Sequence, residues 1–132
     1  MPLLIRSVLP VAAAAFWISL SEFLRNEALF KAYWIDHYAA MDLPFPDAPL
    51  NNAAWGLWSL VVAIILRILI SRFSPAQAAL LGWFAVFIPM WITIGNLGVL
   101  PWGLLPIAVP LSLVEAAVAV WVLHALMHRR GA

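Results

Sequence analysis

Four apolar runs, at residues 5–24, 53–70, 76–94 and 106–127, dominate the sequence, and each approaches or exceeds the length of a bilayer span. At a helical rise of 1.5 Å per residue, about 20 residues cross a hydrocarbon core of roughly 30 Å. No water is present there to satisfy backbone amides and carbonyls, so runs of this kind fold as helices. The expected fold class is an all-α integral membrane protein: a four-transmembrane-helix bundle, with an amphipathic interfacial segment between the first two spans. Residues 1–132 then make a single membrane domain, because spans and connections consume nearly the whole chain.

Composition agrees. With 66% hydrophobic residues, 10% charged residues and a mean hydropathy of +1.00, the chain lies far from soluble usage. A formal charge of +1 gives no basic face for nucleic acid. The absence of cysteine removes disulfides, thiolate nucleophiles and Cys-based metal centres. Arg6 followed by Val8 to Leu20 and the small-x-small triplet Ser19-Leu20-Ser21 also outlines a secretory signal. Three further spans make a retained N-terminal helix the better expectation.

The long connection, residues 25–52, divides in two. Phe30, Trp34, His37 or Tyr38, and Met41 fall on one side of a possible helix, with the aromatic character of a segment lying at headgroup level. From Asp42 to Pro49 three prolines forbid helix, because each removes an amide donor and biases its predecessor toward extended backbone. Further on, Ser74-Pro75-Ala76-Gln77 carries a capping box and a first-turn proline, which starts the third span. Gly95 to Gly103 breaks the chain again, as a tight hairpin or as a re-entrant element lining a site. The fourth span begins at Pro106, or near Leu111 if Pro110 is its first-turn proline.

Lysine and arginine divide unevenly between the ends of the spans. Arg6, Arg67, Arg72, Arg129 and Arg130 fall on one side; Arg25 and Lys31 fall on the other, among Glu27, Asp36, Asp42 and Asp47. The positive-inside rule then predicts both termini in the cytoplasm, and the inner membrane of a bacterium as the setting.

Glu115 is the sharpest candidate for chemistry. A carboxylate within a span must face the bundle interior, a partner subunit or water. The alternative is a first-turn residue closing a capping box with Ser112. Glu22, near the end of the first span, is cheaper to expose. The topology brings Glu22, Asn96, Asp36, His37 and Glu115 toward the same half of the bundle, where they are candidates for proton or ligand binding.

His124 and His128 have metal-ligand spacing but lack a third ligand nearby, so no metal site is expected. The eight tryptophans are scattered through every region and read as an aromatic belt. No span carries a central axial histidine for haem, and no cofactor is expected. These readings favour a small transporter or channel-like subunit that uses intramembrane carboxylates for proton or cation handling. An accessory or assembly subunit of a larger membrane complex comes second. A lipid-directed enzyme comes third, since no nucleophile or metal set is recognisable. The small faces Ala12-Ala15-Ser19 and Ala108-Ser112-Ala116 predict close helix contacts and a homo-oligomer or a larger complex.

Overall fold

A computed structural model describes residues 2–128, with side chains described from residue 5 onward. Arg129 and Arg130, counted above for orientation, lie outside the described residues. Helix α1 (Pro2–Phe23) continues without a break into a π-helical turn, Leu24–Leu29. After Phe30 come α2 (Lys31–Ala39), α3 (Pro49–Leu69), α4 (Pro75–Asn96), a 3₁₀ turn (Trp102–Leu104) and α5 (Leu105–His128). Four segments are long and apolar enough to cross a membrane: Ile5–Leu29, Pro49–Leu69, Pro75–Asn96 and Trp102–His128. They alternate in direction, with α1 against α3 and α5, and α4 against α5 and α3.

Local chemistry accounts for the boundaries. Gln77 N–H donates to Ser74 Oγ at 3.4 Å and Ser74 N–H donates to Gln77 Oε1 at 3.1 Å, the reciprocal box that opens α4. Helix α2 ends where Leu43 N–H returns to the Tyr38 carbonyl at 3.0 Å, with Asp42 in the left-handed region at φ 57. Phe30, Lys31, Trp34, His37, Tyr38 and Met41 are the partly buried positions around α2, and the remaining ones are exposed. The Gly95 to Gly103 stretch is a compact connection: α4 runs to Asn96, Gly98 turns the chain at φ 78, and Leu100 and Pro101 are buried before the 3₁₀ turn. Gly98 supplies the positive φ that a side-chain-bearing residue would adopt only under strain.

Two boundaries differ from the sequence expectation: the first span ends later, and the second begins at Pro49 rather than near residue 53, because Pro49 takes the first helical position, where its missing N–H is no loss. The first span does not stop at Leu24, because Arg25 finds buried partners and the helix carries it inward. The fourth begins at Leu105, within one residue of the expected Pro106 start, so the Leu111 alternative falls: Pro110 lies inside α5 and Glu115 lies mid-helix rather than in a first-turn cap. The helix tolerates Pro110 because its missing N–H costs only one intrahelical bond, to the Pro106 carbonyl. Ser112 has other work: its hydroxyl donates to the Val109 carbonyl at 2.7 Å and accepts from Trp83 Nε1 at 2.9 Å.

The interior divides along the bundle axis. Away from α2, the core is made largely of small and aliphatic side chains: Ala14, Ile18, Val62, Ala63, Leu66, Ala78, Ala79, Ala119, Val120 and Leu123. Toward the α2 end, Phe87, Trp91 and Leu100 form a second cluster. A ladder of edge-on and tilted rings joins α3 to α4, with centroid separations of 5.7 Å for Trp55 and Trp58, 5.4 Å for Trp58 and Phe87, and 5.8 Å for Phe87 and Trp91. An aromatic belt therefore does not account for Trp58, Trp83 and Trp91, which hold helices together from within.

Gly82 and Gly56 test this division. A Cβ at Gly82 would collide with Leu66 Cδ2 in the small-residue core, whereas one at Gly56 would meet nothing within 4 Å. Gly82→Ala is expected to destabilise the bundle by about 1–3 kcal/mol, as overpacking does. Gly56→Ala should leave stability unchanged or raise it, and thermal unfolding of the two detergent-solubilised variants compares them directly.

Candidate functional site

Glu22, Arg25 and Asn26 are spaced three and four residues apart, so the end of α1 and the π turn present them on one face. The turn is wide: Phe30 N–H reaches back five residues to the Arg25 carbonyl at 3.0 Å. Phe30 itself leaves helical geometry at φ −120, ψ 17, and the chain changes direction into α2. π turns of this kind recur at functional sites, where the extra residue re-aims the side chains around it.

Opposite that face stands Glu115, 1% exposed, midway along α5. Its Oε2 accepts from Ser21 Oγ at 2.9 Å and from Arg25 Nη1 at 3.3 Å. Arg25, itself 6% exposed, donates through Nη2 to Glu22 Oε1. Glu22 Oε2 accepts from Asn26 Nδ2 at 2.9 Å, and Asn26 Oδ1 accepts from Trp34 Nε1 at 3.1 Å. A continuous chain of polar contacts thus runs from the middle of α5, through the end of α1, to α2. Trp17 reinforces its deep end by donating Nε1–H to the Glu115 carbonyl at 3.0 Å.

Two carboxyl groups share one guanidinium, so with both ionised one negative charge would have no protein partner in an apolar bundle. One oxygen is also unused: Glu115 Oε1 is buried and accepts no hydrogen bond. Buried charge is tolerated when it is paired and its lone pairs are occupied, so this carboxyl has capacity for a proton or another cation.

Arg25, Glu22 and Asn26 form the floor of a cavity of about 430 Å³. Its walls come from α1, α3 and α4, including Phe16, Trp55 and Trp91, and its roof from Trp34, Tyr38 and Phe45. On α3 the facing residues Asn52, Gly56 and Ser59 are small, and space remains where larger side chains would have filled it. Burial raises the Tyr38 phenol above its ordinary range. Lys31 lies outside the cavity and pairs with Glu27 at 2.9 Å and Asp47 at 3.4 Å, tying the π turn and the proline-rich loop together. Its hydrogen bond to Glu27 holds the Lys31 ammonium above its ordinary range.

Of the candidates named from sequence, Glu22 and Glu115 meet through Arg25. His37 is placed elsewhere, with Nε2 2.8 Å from the Gly98 carbonyl, where it clamps α2 to the connection between α4 and α5. Asp36 and Asn96 are exposed and do not line the cavity. Asp36 lies about 200° around the helix from Trp34, and Asn96 follows the inward-facing Ile94 at the end of α4. Sequence reasoning does not single out Arg25, Ser21, Asn26 or Trp17 as individual site residues. The available signal was the spacing of Glu22, Arg25 and Asn26, whose polarity instead read as the end of a span. Among the described residues no group of three His, Cys, Asp or Glu side chains could hold a metal ion. His124 and His128 stack at 4.0 Å, with His128 Nδ1 2.8 Å from the His124 carbonyl.

Replacing the guanidinium by Arg25→Met leaves two buried carboxylates facing each other and should cost about 3–5 kcal/mol. Glu115→Gln leaves Glu22 and Arg25 as a neutral pair and keeps an acceptor for Ser21, so it should cost much less. Unfolding in graded dodecyl sulfate measures both; equal stability of the two variants would remove Arg25 as the shared counter-charge. No family model, no curated protein and no solved structure matches the chain.

Proposed function

We propose that this is a small polytopic membrane protein of the transporter or channel-like class, in which Glu22 and Glu115 take up and release protons or cations from the cavity beside α2. The observation that carries the reading is the excess carboxylate: two acids on one arginine, with Glu115 Oε1 buried and unpartnered. A carboxyl in this state gains a partner whenever a proton or cation arrives, and the Arg25 fork keeps both acids in place between arrivals. The lysine and arginine distribution favours an α2 end on the outer side and cytoplasmic termini, and the setting proposed with it is the inner membrane of a bacterium.

The cavity is closed from the opposite end by the small-residue core. Passage through one protomer therefore requires that layer to rearrange, and a homo-oligomeric interface offers the other route. An accessory role in a larger membrane complex is favoured by a separate observation. Leu29, Tyr33, Ile35, Leu43 and Leu50 are exposed around the α2 end and form an apolar surface suited to docking.

Full-length protein reconstituted in liposomes should carry a proton or monovalent-cation flux, followed with a pH-sensitive dye or by ion uptake. Glu115→Gln should lower that flux at least tenfold, the scale expected for loss of a group directly involved in proton transfer. Flux equal to that of the parent protein would overturn the role given to Glu115.

A further inference from the structure

The cavity combines two features that select a ligand by chemistry: aromatic walls and a lining with two acidic side chains, Glu22 and Glu27, to one basic side chain, Arg25. Arg25 is the one basic side chain among the lining residues, and its Nη1 and Nη2 are both committed to carboxylates. An anionic ligand would meet the carboxylates of Glu22 and Glu27 as well as that guanidinium, whose charge Glu22 and Glu115 already engage. A cation meets the opposite situation. Glu22 Oε1 and Oε2 each accept one donor, which leaves further lone pairs on a carboxylate at the cavity floor.

The walls sharpen this. Indole and phenyl faces attract cations through the ring quadrupole and receive apolar groups at the same time. Trp55 is 48% exposed although it lies beside the cavity, so its ring is not consumed by packing. A small inorganic ion would leave these faces without a partner, and about 430 Å³ is room for a drug-sized molecule rather than an ion. We propose that the cavity floored by Glu22, Arg25 and Asn26 binds an organic cation carrying an apolar body, with its ammonium near Glu22 and its body against Trp55 and Trp91. This assignment rests on the reading of Glu22 and Glu115 as cation-handling groups and names the substrate class they serve.

Equilibrium binding to full-length protein in an uncharged detergent tests it without any transport step. Three probes of matched size are compared by tryptophan fluorescence and calorimetry: benzyltrimethylammonium, its uncharged carbon isostere neopentylbenzene, and benzylsulfonate. The cation should bind saturably and at least roughly tenfold tighter than the other two. Trp55→Leu, which keeps apolar bulk and removes the ring face, should weaken the cation by roughly three- to tenfold and spare the neutral isostere. Gly56→Leu projects a side chain into space where a Cβ meets nothing within 4 Å, and should abolish binding with the charge cluster intact.

Glu22→Gln should remove the preference for the cation over the isostere. If that variant fails to fold, the Trp55 and Gly56 variants still decide the matter. Equal binding of the neutral isostere would show a merely apolar slot, and equal or tighter binding of the sulfonate would show an anion site; either overturns the inference, as does the absence of saturable cation binding. Proton flux that depends on Glu115 together with absent benzyltrimethylammonium binding would sink this assignment and leave the proposed function standing. Binding without flux would do the reverse.

Discussion

Charge buried in an apolar bundle is the constraint on which the arrangement of this structure depends. Transferring a carboxylate or guanidinium from water to an apolar interior costs several kcal/mol per ion even after relaxation. Glu22, Arg25 and Glu115 are each at least nine-tenths buried, so their positions must be supported on every side. Arginine is suited to the task because its planar fork directs Nη1 and Nη2 to different acceptors at once. Lysine would offer a compact, strongly hydrated charge and could not span the two acids in the same way. Ser21 and Asn26 occupy carboxylate lone pairs, and Trp17 ties the Glu115 backbone to α1. The contact between α1 and α5 at this level is thus specified by polar bonds, whereas elsewhere it is specified by shape.

Shape explains why the cavity lies where it does. Away from α2, alanines on α1, α3, α4 and α5, with Gly82, let the backbones approach and exclude space, as small residues do wherever helices meet in lipid. Toward α2 the spacing is set by large rings. The Trp58, Phe87 and Trp91 ladder fills the α3 to α4 seam. The side of α3 that faces α1 carries only Asn52, Gly56 and Ser59 at intervals of four and three residues. Wide spacing on one side and small side chains on the other leave a volume that α2 covers but does not fill. The same sequence segment of α3 therefore supplies both the wedge, through Trp55 and Trp58, and the gap.

Much of this architecture is legible in the sequence. Span number and alternation follow from hydropathy, and the α4 start follows from Ser74 and Gln77, because those signals are local. The face of α2 bearing Phe30, Trp34 and Tyr38 follows from spacing. What local reasoning misreads is Arg25. Next to Asn26 and Glu27 it looks like the charged end of a span, yet its partner Glu115 lies 90 positions away, and only tertiary contact makes the buried position affordable. The tryptophans fail for a related reason. An indole has an apolar body and one donor, and the sequence does not say whether that donor meets a headgroup or a serine on another helix; Trp83 meets Ser112. Glu115 could be singled out from composition alone, but its surplus over Arg25 could not, since that is a property of three side chains together.

The bond path from Trp34 through Asn26 to Glu22 has a further consequence. Trp34 roofs the cavity, and Asn26 can hold the indole N–H on its carbonyl only while its amide faces the other way, toward Glu22. Displacing the roof removes the contact on Asn26 Oδ1 and leaves the amide held through Nδ2 alone, on the Glu22 carbonyl and Oε2. Because Arg25 divides its hydrogen bonds between the two acids, a change at Glu22 reaches Glu115 without any movement of α5. Under the proposals made above, occupancy of the cavity and proton or cation binding at the cluster would be linked equilibria, and linkage is reciprocal: whatever factor the first applies to the second, the second applies to the first. Coupling of this kind needs no long-range helix motion on the cavity side. It requires only that one roof residue and one amide have two positions, which places the moving parts in the segment between Ser21 and Tyr38, where the π turn, α2 and the cavity floor are covalently continuous.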